Sequence, residues 1–118
     1  MKNFNSIKKN KDFRAIYQLK KSHGNKTLVM YVGPNGLDHS RIGISVSRKV
    51  GNSVVRHRLT RLVREVYRKH ENALLPGWDL VVVLRETAAG KSLGELESAF
   101  LHLAGRHKLW KREEKLLY

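Results

Sequence analysis

Lys49-Val50-Gly51-Asn52-Ser53-Val54-Val55-Arg56-His57-Arg58-Leu59-Thr60-Arg61-Leu62-Val63-Arg64-Glu65 is the stretch on which the reading of this chain turns. Gly51 and Asn52 break the preceding segment, and a helix is expected from there to about residue 69. At about 100° per residue, Val55, Leu59, Leu62, Val63 and Val66 share an arc of roughly 100°. His57, Arg58, Arg61, Arg64 and Arg68 lie opposite, with Arg56 at the flank. One face is built for a core and the other is a row of guanidinium groups.

A charge run is ordinarily a solvated face, but solvated faces mix signs at helical spacing because like charges there destabilise the helix. Here Arg61 with Arg64 and Arg64 with Arg68 repel, and Glu65 is the one acid between residues 48 and 69. Arg56 also stands in the first turn, where the helix dipole disfavours a cation. An anion would relieve both conflicts, and a helix N-terminus is a ready phosphate site. Arginine rather than lysine suits that ligand, since its planar fork grips phosphate oxygens in pairs and stacks on bases.

Outward from this helix, the chain reads as one domain of 118 residues. A polar, basic arm is expected over residues 1–9, with Phe4 and Ile7 as its anchors. A first helix, capped by Asn10 and running to about residue 21, carries Phe13, Ile16, Tyr17 and Lys20. His23-Gly24-Asn25 ends it. A strand over 27–32 puts Leu28, Met30 and Val32 on one face and Val29 and Tyr31 on the other. Gly33-Pro34-Asn35-Gly36 is a turn.

A second strand over 41–47 alternates Ile42, Ile44 and Val46 with Arg41, Gly43, Ser45 and Ser47. The second set has little bulk, so either a ligand backbone approaches it or a helix packs there. After the Arg-rich helix, Leu74-Leu75-Pro76-Gly77 is a stop, and a buried strand is expected over 78–85. Ser92 and Glu95 form a capping box for a last helix over 93–105, with an extension toward Trp110 left open. Residues 106–118 read as a loose basic tail. The order α-β-β-α-β-α gives an α/β class fold, an α+β two-layer sandwich of helices on a small mixed sheet.

Composition narrows the function. Lys and Arg number 24 against 10 Asp and Glu, a formal charge of +14. A compact domain repels itself at that charge, and a polyanion is the usual reason to carry it. There are no cysteines, which excludes thiolate metal sites and disulfides and fits a cytoplasmic location. The longest apolar run, Leu80 to Leu84, is far below the roughly 18 residues of a membrane span, and no signal peptide or membrane partner is expected.

The six His show no metal-ligand spacing, and no Gly-rich phosphate loop precedes a helix. Asp12, Asp38, Asp79 and Glu86 are scattered and read as caps, turns or surface residues. No catalytic residue, metal or small-molecule cofactor is expected on the protein itself.

The stretch 49–65 resembles the signature of the protein subunit of bacterial ribonuclease P: Lys-x-Gly-Asn, then Arg-x-Arg, spaced basic residues, and Arg-Glu on one helix. Asp12-Phe13, Arg41-Ile42-Gly43-Ile44-Ser45-Val46-Ser47 and Asp79-Leu80-Val81-Val82-Val83 match as well. His57 replaces a usual Asn, Thr60 a common Lys or Arg, and Ser6-Ile7 a frequent Arg-Leu.

The resemblance implies an α/β sandwich with the Arg-rich helix on a left-handed crossover, against the general rule. It implies a protein without its own active site that joins ribonuclease P RNA and, with the Mg²⁺ that holoenzyme requires, removes the 5′ leader of precursor tRNA. Arg48, Lys49, Asn52, Arg56, His57, Arg58, Arg61, Arg64 and Arg68 would face the catalytic RNA. Phe13, Tyr17, Tyr31, Arg41, Ser45 and Ser47 would line a leader-binding cleft, although Phe13 alone is read equally well as core.

Overall fold

A computed structural model describes residues 5–111. Its elements are α1 (Asn10–Leu19), β1 (Ser22–Gly24), β2 (Leu28–Pro34), β3 (Arg41–Val46), α2 (Ser53–His70), β4 (Trp78–Leu84) and α3 (Leu93–Arg106). The strands form one mixed sheet in the order β1-β2-β4-β3. β4 runs antiparallel to β2 and parallel to β3, so α2 is the crossover between two neighbouring parallel strands.

The alternation expected in the strands sorts the core. Leu28, Met30, Val32, Ile42, Leu80, Val82 and Leu84 are buried under α2 and α3, which add Leu59, Val63, Val66, Leu96, Phe100 and Leu103. Tyr67, also from α2, is buried there, and burial pushes its phenol up to about 12. The other sheet face meets α1: Ile16, Val81 and Ile7 are buried, with Phe13, Tyr17, Tyr31 and Val83 packed around them.

α1 comes very near the sheet. A Cβ on Gly43 would fall 2.7 Å from the Phe13 ring, and one on Gly33 2.6 Å from Leu19. Glycine at 43, against a rigid ring, is therefore a steric requirement, whereas at 33 the near atoms are the ends of the Leu19 and Ile16 side chains, which can turn aside. The choice left open for the low-bulk face of β3 is decided at Gly43 in favour of a packed helix.

Three expectations need correction. The first helix ends at Leu19, because Lys20 turns left-handed (φ 57°) and returns its N–H to the Tyr17 carbonyl. Its N-cap is Lys9 rather than Asn10, with no side-chain cap bond. The segment after it, read as a break, forms β1, which pairs Ser22 with Tyr31 and Gly24 with Val29. Asn25 closes this hairpin by accepting from the N–H groups of Thr27 and Leu28.

The expected loose ends are docked where they are described. Ile7 donates to the Ile42 carbonyl and Ile42 to that of Asn5, extending the sheet beyond β3. Leu109 is buried, and Leu75 donates to its carbonyl while Lys111 donates to that of Ala73. Phe4 and residues 112–118 lie outside the described residues. The Ser92–Glu95 capping box is present with both of its bonds.

Candidate nucleic-acid interface

Asn52 positions the Arg-rich helix by accepting from the Val55 N–H at its N-terminus, 3.0 Å away. Leu59, Val63 and Val66 then anchor one side of α2, and the opposite side faces solvent. Ile44 and Val46 of β3, with Arg56, His57, Thr60, Arg61, Arg64, Glu65 and Arg68, line an open groove between helix and sheet edge.

The expected row of cations is thus divided. Arg56, His57, Arg61, Arg64 and Arg68 share the groove. Arg58 turns the other way and donates to the Lys91 carbonyl, 2.9 Å, tying α2 to the start of α3. Arg48 and Lys49 are exposed in the turn before the helix. Arg56 is oriented by a bond from Nε to the Gly51 carbonyl, 3.1 Å. Thr60 bonds back to the Arg56 carbonyl at 2.9 Å.

Across β3 lies a second cleft, lined by Asn10, Phe13, Arg14 and Tyr17 of α1 with Ile44 and Ser45 of β3. Tyr17 meets Tyr31 edge-on, with ring centroids 4.9 Å apart. Phe13 serves twice, packing on Gly43 and walling the cleft. Ser47 opens into a neighbouring hollow with Arg85, Glu86 and Thr87.

Arg14 and Asn10 were missed by the sequence reading. The signal was present, because Asn10, Arg14 and Tyr17 recur at i, i+4 and i+7 and must share a face. Ile44 borders both the groove and the cleft, so only the outer edge of β3 separates them.

Arg41, expected in the cleft, is not among the residues that line it, and its fork is occupied. Nε and one terminal nitrogen donate to Asp79 at 2.9 and 2.6 Å, and Asp12 lies 3.6 Å away. Asp79 also accepts from Asn35 Nδ2, and hydrogen bonding to it holds the Arg41 guanidinium still more firmly protonated. Asp79 is buried, which corrects its reading as a cap, turn or surface residue.

Among the described residues, no group of three or more His, Cys, Asp or Glu is placed to hold a metal ion. No helix among them is long and apolar enough to cross a membrane.

A guanidinium-lined groove beside an aromatic cleft on an α+β fold is the surface of an RNA-binding class of protein. Comparison with known proteins narrows the class. The family model described as Ribonuclease P matches residues 1–108. The ribonuclease P protein component of Lachnoclostridium phytofermentans is 50% identical over 104 residues, covering 88% of this chain and 90% of that protein. That of Alkaliphilus metalliredigens is 45% identical over 109 residues, covering 92% and 98%.

Among solved structures, the Staphylococcus aureus RNase P protein superposes with a TM-score of 0.84 at 34% identity, covering 92% of this chain and 100% of that one. The Thermotoga maritima protein superposes with 0.79 at 31%, covering 86% and 96%. The chain belongs to the ribonuclease P protein family. It is the RNA-binding protein component of a ribonucleoprotein endoribonuclease that matures tRNA 5′ ends, partnered with ribonuclease P RNA.

Proposed function

We propose that the groove along α2 lies against ribonuclease P RNA, and that the cleft between α1 and β3 grips the single-stranded 5′ leader of precursor tRNA. The observation that carries this reading is the shared wall. Two surfaces of different chemistry, one guanidinium-lined and one aromatic, meet along the outer edge of β3 at Ile44. Guanidinium groups suit a folded RNA's phosphates, whereas exposed rings suit unpaired bases. A strand leaving a folded RNA on one side of β3 would enter the cleft on the other.

The protein's own task is then positioning. It neutralises phosphates where two RNAs meet and favours precursor over product, because only the precursor offers a leader to the cleft. The Mg²⁺ that cleavage requires belongs to the RNA–protein holoenzyme, acting in the cytoplasm.

The test is cleavage of a 5′-extended precursor tRNA at low Mg²⁺ by the protein alone, ribonuclease P RNA alone, and both together. Activity in the mixture above that of RNA alone is expected. Cleavage by the protein alone would overturn the reading. Within the mixture, Arg56→Gln with Arg61→Gln should weaken assembly with the RNA. Tyr17→Ala should reduce the preference for precursor over mature tRNA, by about 1–3 kcal/mol if one base stacks there.

A further inference from the structure

A third concentration of positive charge lies away from both surfaces. Lys20 and Lys21 after α1, and Arg106 and Lys108 at the end of α3, border a hollow of about 360 Å³ with His23 and His107. Its floor includes Val32 and Trp78, whose side chains belong to the α2–α3 side of the sheet. The cleft is on the other side. No Asp or Glu lines it among the described residues.

The simplest account of cations here is the two helix C-termini, each equivalent to roughly −0.5 charge. Together they offset about one cation, and four full cations converge. Lys20 and Lys108 both hold left-handed backbone (φ 57° each), a conformation that costs a lysine energy and that glycine or asparagine would adopt more readily. One of the two imidazoles is fixed as well. His107 Nε2 donates to the Met30 carbonyl at 2.8 Å, and its ring meets His23 edge-on at 4.6 Å between centroids.

We propose that this hollow is a phosphate-binding site that engages the RNA backbone at a point separate from the α2 groove and the α1 cleft. Lys20, Lys21, Arg106 and Lys108 supply the charge, and the His107 ring, held through Nε2 by the Met30 carbonyl, stands beside them. The RNA as occupant rests on the proposed function. The affinity for phosphate does not.

The experiment therefore has two arms. In the first, inorganic phosphate is titrated into the free protein while the His107 ring is followed by NMR across pH. Phosphate should raise the apparent pKa of His107 by about half a unit or more in the native protein, because a nearby anion favours the imidazolium. The shift should vanish in Lys20→Asn with Lys108→Asn, which removes two charges and keeps a residue tolerant of the left-handed turn. Arg106→Gln, in the last turn of α3, repeats the test should that pair fold poorly.

In the second arm, the salt dependence of ribonuclease P RNA binding is compared. The logarithmic slope should fall by about 1–2 in the double variant, as expected when one or two phosphate contacts are lost. No phosphate response in the native protein overturns the site, and that result stands whatever the RNA does. A response with an unchanged salt slope overturns the RNA as occupant and leaves a site for free phosphate.

Discussion

Gly43→Ala should close the approach of α1 to the sheet and thereby damage the cleft while sparing the α2 groove. The added methyl would lie 2.7 and 2.8 Å from two Phe13 ring carbons and 3.3 Å from Ile7 Cδ1. Carbon atoms pack best about 3.5–4.0 Å apart, so the ring must withdraw by roughly 1 Å. Overpacking of this size costs about 1–3 kcal/mol, or about 4–12 °C in melting temperature for a domain of this length.

Phe13 also walls the cleft, so the preference for precursor over mature tRNA should fall with the stability. The affinity for ribonuclease P RNA should hold, because the α2 groove is on the far side of β3. Thermal melts and paired binding curves measure the three quantities. Phe13→Leu in the same chain gives the decisive cycle. If the methyl and the ring collide, the smaller side chain should recover about 1 kcal/mol of the loss. Additive losses, or a Gly43→Ala protein of native stability, would refute the reasoning.

Three further outcomes follow from the same geometry. Asp79→Asn leaves the Arg41 guanidinium facing an amide, with Asp12 too distant to replace the lost bonds, and should cost about 3 kcal/mol in urea unfolding. That lies at the low end for a buried pair because Arg41 keeps a quarter of its side chain exposed; a loss under about 1 kcal/mol would show the pair to be dispensable. Asn52→Ala removes the cap of α2, and no acid stands in the first turn to compensate, so about 1 kcal/mol should be lost, whereas Asn52→Asp should retain the native melting point. Burial holds His107 below its ordinary value of 6.5, partly offset by its bond to Met30, so the unfolded chain binds the extra proton first as pH falls. Its contribution is full above about 6.5, declines as pH drops toward the folded value, and is flat below it. Melting temperature against pH should show that decline in the native protein and less of it in His107→Gln, and an equal decline in both would remove His107 as its source.

What the sequence disclosed and withheld divides along contact range. The α2 surface was legible because a 3.6-residue period places Leu59, Val63 and Val66 together without knowledge of the partner. The capping box at Ser92 was legible for the same reason, as both its bonds span three residues. β1 was not: Ser22-His23-Gly24 has no apolar alternation, and its strand geometry comes from β2. Arg58 was placed with the groove because periodicity gives an angle around the helix but not a neighbour. Its partner, Lys91, lies 33 residues away. Asp79 failed likewise, since nothing local to Trp78-Asp79-Leu80 announces a guanidinium brought over from Arg41.

The cleft owes its existence to unequal side-chain size along one sheet face. α1 has ten residues, about 15 Å of helix, too short to cover four strands along their length. It settles where Gly33 and Gly43 remove the bulk, and there Ile7, Ile16 and Val81 exclude water. One pleat further along β3 and β4 stand Ser45 and Val83, paired in register and only half-buried. Beyond Val83, which still packs against the α1 cluster, Ser45 lines the open cleft, where a flat ring or a sugar-phosphate chain has room. Burying that row as well would stabilise the domain by roughly 25 cal/mol for each Å² of apolar surface covered. The chain forgoes that stability and keeps Phe13, Tyr17 and Ser45 accessible on the opposite side of Ile44 from the arginines.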